Sequence, residues 1–190
     1  LTGLASLKLI PADLNKDGYP DIVFSRPDGV ALALSDGRGR FTSGAPPDGV
    51  QAGIAAALAD YDADGLIDLL AWSDAGLHVY RNLGRAAGSG VNPIAANPRW
   101  GEVSTRAVRG GGTAPASARA IAVADVDRDG LTDLVAGRGG ALTLWRNEGG
   151  TNRTLAIDLK GRVSNRLGVG AKIEVRAGSL SERLETSAST

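Results

Sequence analysis

The nonapeptide Asp13-Leu14-Asn15-Lys16-Asp17-Gly18-Tyr19-Pro20-Asp21 returns as Asp60-Tyr61-Asp62-Ala63-Asp64-Gly65-Leu66-Ile67-Asp68 and again as Asp125-Val126-Asp127-Arg128-Asp129-Gly130-Leu131-Thr132-Asp133. Each copy reads D-x-[DN]-x-D-G-x-x-D. Oxygen-bearing side chains stand at the first, third, fifth and ninth places, a glycine at the sixth permits a sharp bend, and the seventh offers a free backbone carbonyl. That pattern describes a loop wrapped around a hard cation. Calcium fits it, because calcium accepts roughly 6 to 8 oxygen ligands in flexible geometry, whereas magnesium demands a tighter octahedron and keeps its waters. Carboxylates this close repel one another and push pKa values upward, and a divalent cation removes the repulsion. One acidic nonapeptide reads as readily as a solvated turn. Three with a single internal geometry do not.

An EF-hand needs a bidentate Glu at the twelfth place, between helices. Here that place holds Phe24, Ala71 and Ala136. Each ninth-place Asp instead opens a short apolar run, Asp21-Ile22-Val23-Phe24, Asp68-Leu69-Leu70-Ala71-Trp72 and Asp133-Leu134-Val135-Ala136. Such runs suit strands buried on both faces. A second apolar stretch precedes each loop: Leu7 to Ile10, Ala55 to Ala59, and Ala120 to Ala124. A third, alternating strand follows a Gly turn at Gly29 to Gly37, Gly76 to Gly84 and Gly140 to Gly149, the last two ending in a shared Arg-Asn-x-Gly turn. Fourth strands are expected around Arg40-Phe41-Thr42 and Trp100 to Ser104. The loops begin at 13, 60 and 125, spacings of 47 and then 65 residues. Multi-stranded repeats of roughly 40 to 50 residues indicate β-propeller blades, and the longer spacing implies an insertion, expected at Arg85 to Pro98.

These three units resemble FG-GAP or VCBS repeats, the calcium-loop blades of integrin α-subunit propellers and many bacterial secreted proteins. The resemblance covers most of residues 1–150. It implies the side-chain ligands Asp13, Asn15, Asp17 and Asp21; Asp60, Asp62, Asp64 and Asp68; and Asp125, Asp127, Asp129 and Asp133. Tyr19, Leu66 and Leu131 would add backbone carbonyls, for up to three Ca2+ ions. The remainder, 151–190, reads differently. Leu155 to Gly161 alternates like a strand, Ser164-Asn165-Arg166-Leu167-Gly168-Val169-Gly170-Ala171 makes a glycine-rich turn, and Lys172 to Gly178 alternates again. This run resembles the start of an ASPIC/UnbV domain, which follows VCBS-type blades in the cartilage acidic protein family and its bacterial relatives. The expected architecture is all-β: three propeller blades with a small C-terminal β segment.

A closed propeller needs at least four blades, and three leave open edges that invite pairing. The chain opens on Leu1, almost directly into a strand, and the ASPIC/UnbV resemblance implies that Leu180 to Thr190 is a truncated end. It is therefore expected to be part of a larger array or to be completed by a partner. With no cysteine, disulfides are excluded. Multi-carboxylate loops suit extracellular calcium, where modules bind at roughly 10⁻⁴ to 10⁻³ M, so a secreted or cell-surface location is expected. Asn152-Arg153-Thr154 is a glycosylation sequon that carries little weight alone. No apolar stretch approaches the roughly 20 residues of a transmembrane helix.

The formal net charge is zero, with 21 acidic and 21 basic residues. Because the loops hold eleven of the acidic groups, filling them leaves a cationic protein, with Arg153, Lys160, Arg162, Arg166, Lys172, Arg176 and Arg183 gathered toward the C-terminus. That charge reads as a solvated polar face in preference to a site for an acidic partner. No recognition helix or stacking-aromatic motif points to nucleic acid. Enzymatic activity is not expected: most loop carboxylates are assigned to metal, the sole histidine, His78, reads as an outward-facing strand residue, and no G-x-S-x-G elbow is present. Tyr80 and Trp145 occupy equivalent places and read as packing between blades, with a lectin-like sugar platform as the weaker alternative. Trp72 and Trp100 carry the same ambiguity. The chain thus reads as an extracellular calcium-binding adhesion or recognition module for a protein or glycan, with self-assembly through open blade edges as the alternative. Loop 1, where Asn15 replaces a carboxylate, is expected to bind calcium most weakly.

Overall fold

A computed structural model of the chain describes residues 8–26, 28–50, 53–73, 76–85, 96–104, 120–138, 141–162, 164–178 and 180–186. The chain divides into two compact units, Leu1–Asn152 and Arg153–Thr190. In the first unit each acidic loop joins two antiparallel strands, as the apolar runs on either side of it require. The first sheet is a meander of β1 (Lys8–Ala12), β2 (Asp21–Arg26), β3 (Gly29–Ser35) and β4 (Phe41–Gly44), paired in that order. The second repeats it with β5 (Gly53–Ala59), β6 (Asp68–Ser73), β7 (Gly76–Arg85) and β8 (Pro98–Glu102). The third contains β9 (Ala120–Ala124), β10 (Asp133–Arg138) and β11 (Ala141–Trp145). Register is the same in all three. The ninth-place Asp always faces the alanine just before the loop, in the pairs Ala12 with Asp21, Ala59 with Asp68 and Ala124 with Asp133.

Successive strand residues point to opposite faces, and the middle blade uses both. Ala56, Leu69, Ala71 and Tyr80 meet Leu14, Val23, Val30 and Leu32 of the first blade. Ala57, Leu70 and Trp72 meet Ile121, Leu134, Ala136 and Trp145 of the third. The Trp72 and Trp145 rings lie 5.3 Å apart, tilted at 51°, within the range for favourable aromatic pairs. Tyr80 and Trp145 are therefore interblade packing, and with Trp72 they offer no stacking platform to a sugar. His78 is half-buried rather than turned outward, with its ring stacked on Tyr80 at 6.1 Å.

The blades are also fastened by a repeated hydrogen bond. Asn82, buried in β7, donates through Nδ2 to the Leu14 carbonyl of the first acidic loop at 2.8 Å and to Ile67 O at 3.1 Å. Asn147 donates in the same way to Tyr61 O at 2.6 Å and Thr132 O at 3.2 Å. The Arg-Asn-x-Gly segments are thus more than turns, since their Asn ties each blade to the loop of the blade before it.

Among the described residues, the third blade exposes one face. Leu14, Val30 and Leu32, against which the second blade packs, are 0 %, 8 % and 2 % exposed. Their counterparts Val126, Leu142 and Leu144 are 50 %, 80 % and 52 % exposed.

Extra length in the second repeat falls in two places. The expected insertion, Arg85 to Pro98, does separate β7 from β8, although 86–95 lie outside the described residues. A second stretch separates β8 from β9; its sequence is rich in Gly and Ala, and 105–119 lie outside the described residues.

In the second unit β12 (Lys172–Ala177) pairs with β13 (Leu180–Glu185), so the segment read as a truncated end supplies a strand. The glycine-rich turn is held by Asn165, whose side chain accepts from Val169 N at 2.9 Å and donates to Val169 O at 2.8 Å. Gly168 and Gly170 take left-handed φ of 62° and 76° there. The strand expected at Leu155 to Gly161 does not form. Alternation marks two faces, but a strand also needs a neighbour for its backbone groups, and this segment is mostly exposed.

Asn82→Ala strands two carbonyls in a buried site, so it is expected to lower stability by roughly 2 to 3 kcal/mol, measured as a lower urea midpoint at unchanged slope. An unchanged midpoint would show that the interblade bond carries no weight.

Candidate metal loops

The three acidic loops fold alike. The first-place carboxylate accepts two backbone N–H groups: Asp17 and Gly18 donate to Asp13 at 3.1 and 2.9 Å, Asp64 and Gly65 to Asp60 at 3.0 and 2.9 Å, and Asp129 and Gly130 to Asp125 at 3.1 and 3.0 Å. The fifth-place carboxylate accepts from the seventh-place amide, with Tyr19 on Asp17 at 2.8 Å, Leu66 on Asp64 at 2.8 Å and Leu131 on Asp129 at 2.9 Å. This bonding forces the fourth residue into left-handed backbone, at φ 56° for Lys16, 54° for Ala63 and 64° for Arg128. Such φ values cost an ordinary residue roughly 1 to 2 kcal/mol. Three unrelated side chains accept that strain at one place, so the loop geometry dictates the backbone there.

The ninth-place Asp is the most buried carboxylate of each loop, with Asp21, Asp68 and Asp133 at 0 %, 0 % and 1 % exposure. One oxygen accepts from the second loop residue, Leu14, Tyr61 or Val126, each at 3.0 Å. The other accepts from the end of the third strand, at Ser35 N 2.9 Å, Asn82 N 2.7 Å and Asn147 N 2.8 Å. Each carboxylate thus fixes loop and strand together.

Asp60, Asp62 and Asp68 bring one oxygen each to within 4.8 Å of one another, as do Asp125, Asp127 and Asp133. The fifth-place Asp64 and Asp129 lie outside these two groups. In loop 1 the third place is the buried Asn15, whose Oδ1 accepts from Asp17 N at 3.1 Å. Two carboxylate oxygens, Asp62 Oδ1 and Asp17 Oδ2, are buried without a hydrogen-bond partner. An all-oxygen set with unpaired buried acceptors fits a hard divalent cation. The seventh-place side chains fold over a glycine at the end of the third strand. Leu131 Cδ1 lies 2.6 Å from where a side-chain carbon on Gly149 would stand, and the Tyr19 ring fills the corresponding place at Gly37.

Sequence reasoning missed Arg81 and Arg146. Arg81 Nη2 donates to Asp64 Oδ2 at 2.8 Å, and its Nε is 2.7 Å from Asp62 Oδ2. Arg146 Nε is 2.5 Å from Asp127 Oδ2, and its Nη2 3.5 Å from Asp129 Oδ2. The signal was the recurrence of Arg-Asn-x-Gly at one distance from loops 2 and 3.

The FG-GAP-like repeat family matches residues 13–71 and 60–136. The chain belongs to that family. The match ends before residue 151, so the C-terminal resemblance rests on the Ser164 to Ala171 run alone. No curated protein matches the chain at a significant level. No helix among the described residues is long and apolar enough to cross a membrane.

Burial raises the Asp68 carboxyl to about 7 and Asp21 to about 6, with the neighbouring loop carboxylates adding to the rise and the backbone donors opposing it. Asp60 and Asp62 are also raised, chiefly by burial. Between the ordinary value of 3.8 and about 7 the folded, metal-free protein therefore holds more protons than the unfolded chain. Its stability is greatest at the acid end and falls as pH rises through that window. In chelator, Tm is expected to drop from pH 5 to pH 8, and in excess calcium the trend should weaken or reverse, because protons compete with the ion. A metal-free Tm that rises over this range contradicts the assignment.

Proposed function

We propose that the chain is an extracellular recognition module whose FG-GAP-like blades are built on calcium. The observation that carries this reading is the pair of Asp triads with an unpaired, buried Asp62 oxygen, in loops whose backbones are already bent into shape. Asp60, Asp62 and Asp68, and Asp125, Asp127 and Asp133, would hold the ion in loops 2 and 3. Asp13, Asn15, Asp17 and Asp21 would do so in loop 1, with the carbonyls of Tyr19, Leu66 and Leu131 as further donors. Bound calcium supplies positive charge that offsets carboxylate repulsion. The protein's own part is to orient the oxygens and to couple each loop to its third strand through Asp21, Asp68 and Asp133. Since the same loops carry the interblade bonds from Asn82 and Asn147, a filled loop stiffens the blade array.

The role is binding rather than catalysis. The loop carboxylates are committed to backbone amides and cation, and His78 is stacked on Tyr80. A protein or glycan is the proposed partner. The Ser164 to Ala171 turn supports, by its sequence run alone, an ASPIC/UnbV-like C-terminal unit.

A second reading, assembly through open blades, is favoured by the exposed Val126, Leu142 and Leu144 on the third blade. Apolar residues at those places are covered in the first blade, which supports a further blade as the natural cover, from a partner or from another copy.

Calorimetric calcium titration of chelator-treated protein, with melts of both forms, tests the primary reading. Up to three sites in the range of about 10⁻⁴ to 10⁻³ M are expected, with Tm rising as the ion binds only the folded state. No heat of binding and chelator-independent melts would overturn it. Sedimentation of the calcium form at rising concentration separates the two readings: ordered growth that Leu142→Glu abolishes favours assembly, and a persistent monomer favours recognition.

A further inference from the structure

The three repeats differ in one coordinated respect. Where the third loop place is Asp62 or Asp127, the residue twenty-one positions after the loop start is Arg81 or Arg146. Where the third place is Asn15, that position holds Leu34, buried in β3. The carboxylate and the guanidinium that faces it are present together or absent together. Each Arg reaches the third- and fifth-place carboxylates at once. In loop 2 its Nη2 donates to Asp64 Oδ2 and its Nε forms an ion pair with Asp62 Oδ2 that lacks hydrogen-bond geometry, while Asp62 Oδ1 is buried and unpaired. A forked, permanently charged guanidinium is suited to bridging two carboxylates in this way.

We propose that Arg81 and Arg146 are resident counter-cations of loops 2 and 3, which hold the third- and fifth-place carboxylates in their binding arrangement when the loop is empty and set calcium affinity below what four carboxylates would give. This rests on the calcium reading of the same loops. The charge count follows directly. With the fourth-place Lys16 and Arg128 included, loop 1 and loop 3 with Arg146 each carry a formal charge of −2, and loop 2 with Arg81 carries −3. Asn15 therefore gives no reason to rank loop 1 below loop 3. Arg81 and Arg146 act on the ion through the carboxylates they hold, so they are positioning residues.

The test is a loop-resolved calcium titration of the whole chain by NMR, following the amides of Gly18, Gly65 and Gly130, one in each loop. Arg81→Leu and Arg146→Leu reproduce the residue found at position 34. Each is expected to tighten calcium binding at its own loop roughly tenfold, the size expected from removing a neighbouring positive charge, to leave the other two loops unchanged, and to lower Tm in chelator. Arg146→Lys, which keeps the charge, should return loop 3 to the original affinity. Arg146 is 63 % exposed, so its replacement removes little packing and carries the test should the loop 2 variant unfold. Calcium affinity unchanged or weakened in Arg146→Leu overturns the inference, since an arginine that merely braces the fold would loosen the site on removal. Absence of calcium shifts in the unaltered protein would instead overturn the calcium reading itself.

Discussion

The ninth-place carboxylate is the constraint on which the rest of the fold depends. Asp21, Asp68 and Asp133 are buried, and each accepts one amide from its own loop and one from the end of the third strand. A buried carboxylate is expensive unless well paired, and two backbone donors only partly meet that cost, as the raised Asp21 and Asp68 show. A divalent cation held by the loop, as proposed, would meet the remainder, which would make fold and metal affinity two consequences of one group.

From that group the structure propagates outward. Fixing the third strand places Asn82 and Asn147 against the loop carbonyls of the preceding blade, and places Tyr80 and Trp145 between the sheets. The middle blade is buried on both faces, which explains why β6 is apolar without alternation. A disturbed loop should therefore be felt across a blade boundary, through Leu14 or Tyr61, as well as within its own hairpin.

Much of this was legible in the sequence. The three nonapeptides gave the hairpins, because a fixed turn between apolar runs leaves the chain few alternatives, and the repeat spacing gave the blades. The roles of Arg81, Arg146, Asn82 and Asn147 were not legible, because their partners lie between 15 and 86 residues away in sequence and only folding brings them together. Leu155 to Gly161 misled for the opposite reason. Its local pattern is that of a strand, but a strand forms where a neighbour receives its backbone, and pattern alone does not supply one. His78 sat between two apolar residues and read as outward-facing, yet a half-buried blade face can accept an imidazole stacked on a tyrosine.

Hydrogen exchange at the second-loop-place and third-strand amides, those of Leu14, Tyr61 and Val126 with Ser35, Asn82 and Asn147, tests the central claim most directly. These six amides donate to the three buried carboxylates, so they should exchange slowly as matched pairs, and calcium should slow both members of each pair together. Fast exchange at these amides, or calcium protection confined to the loop member while its strand partner is unaffected, would contradict the claim that one carboxylate couples metal, loop and blade.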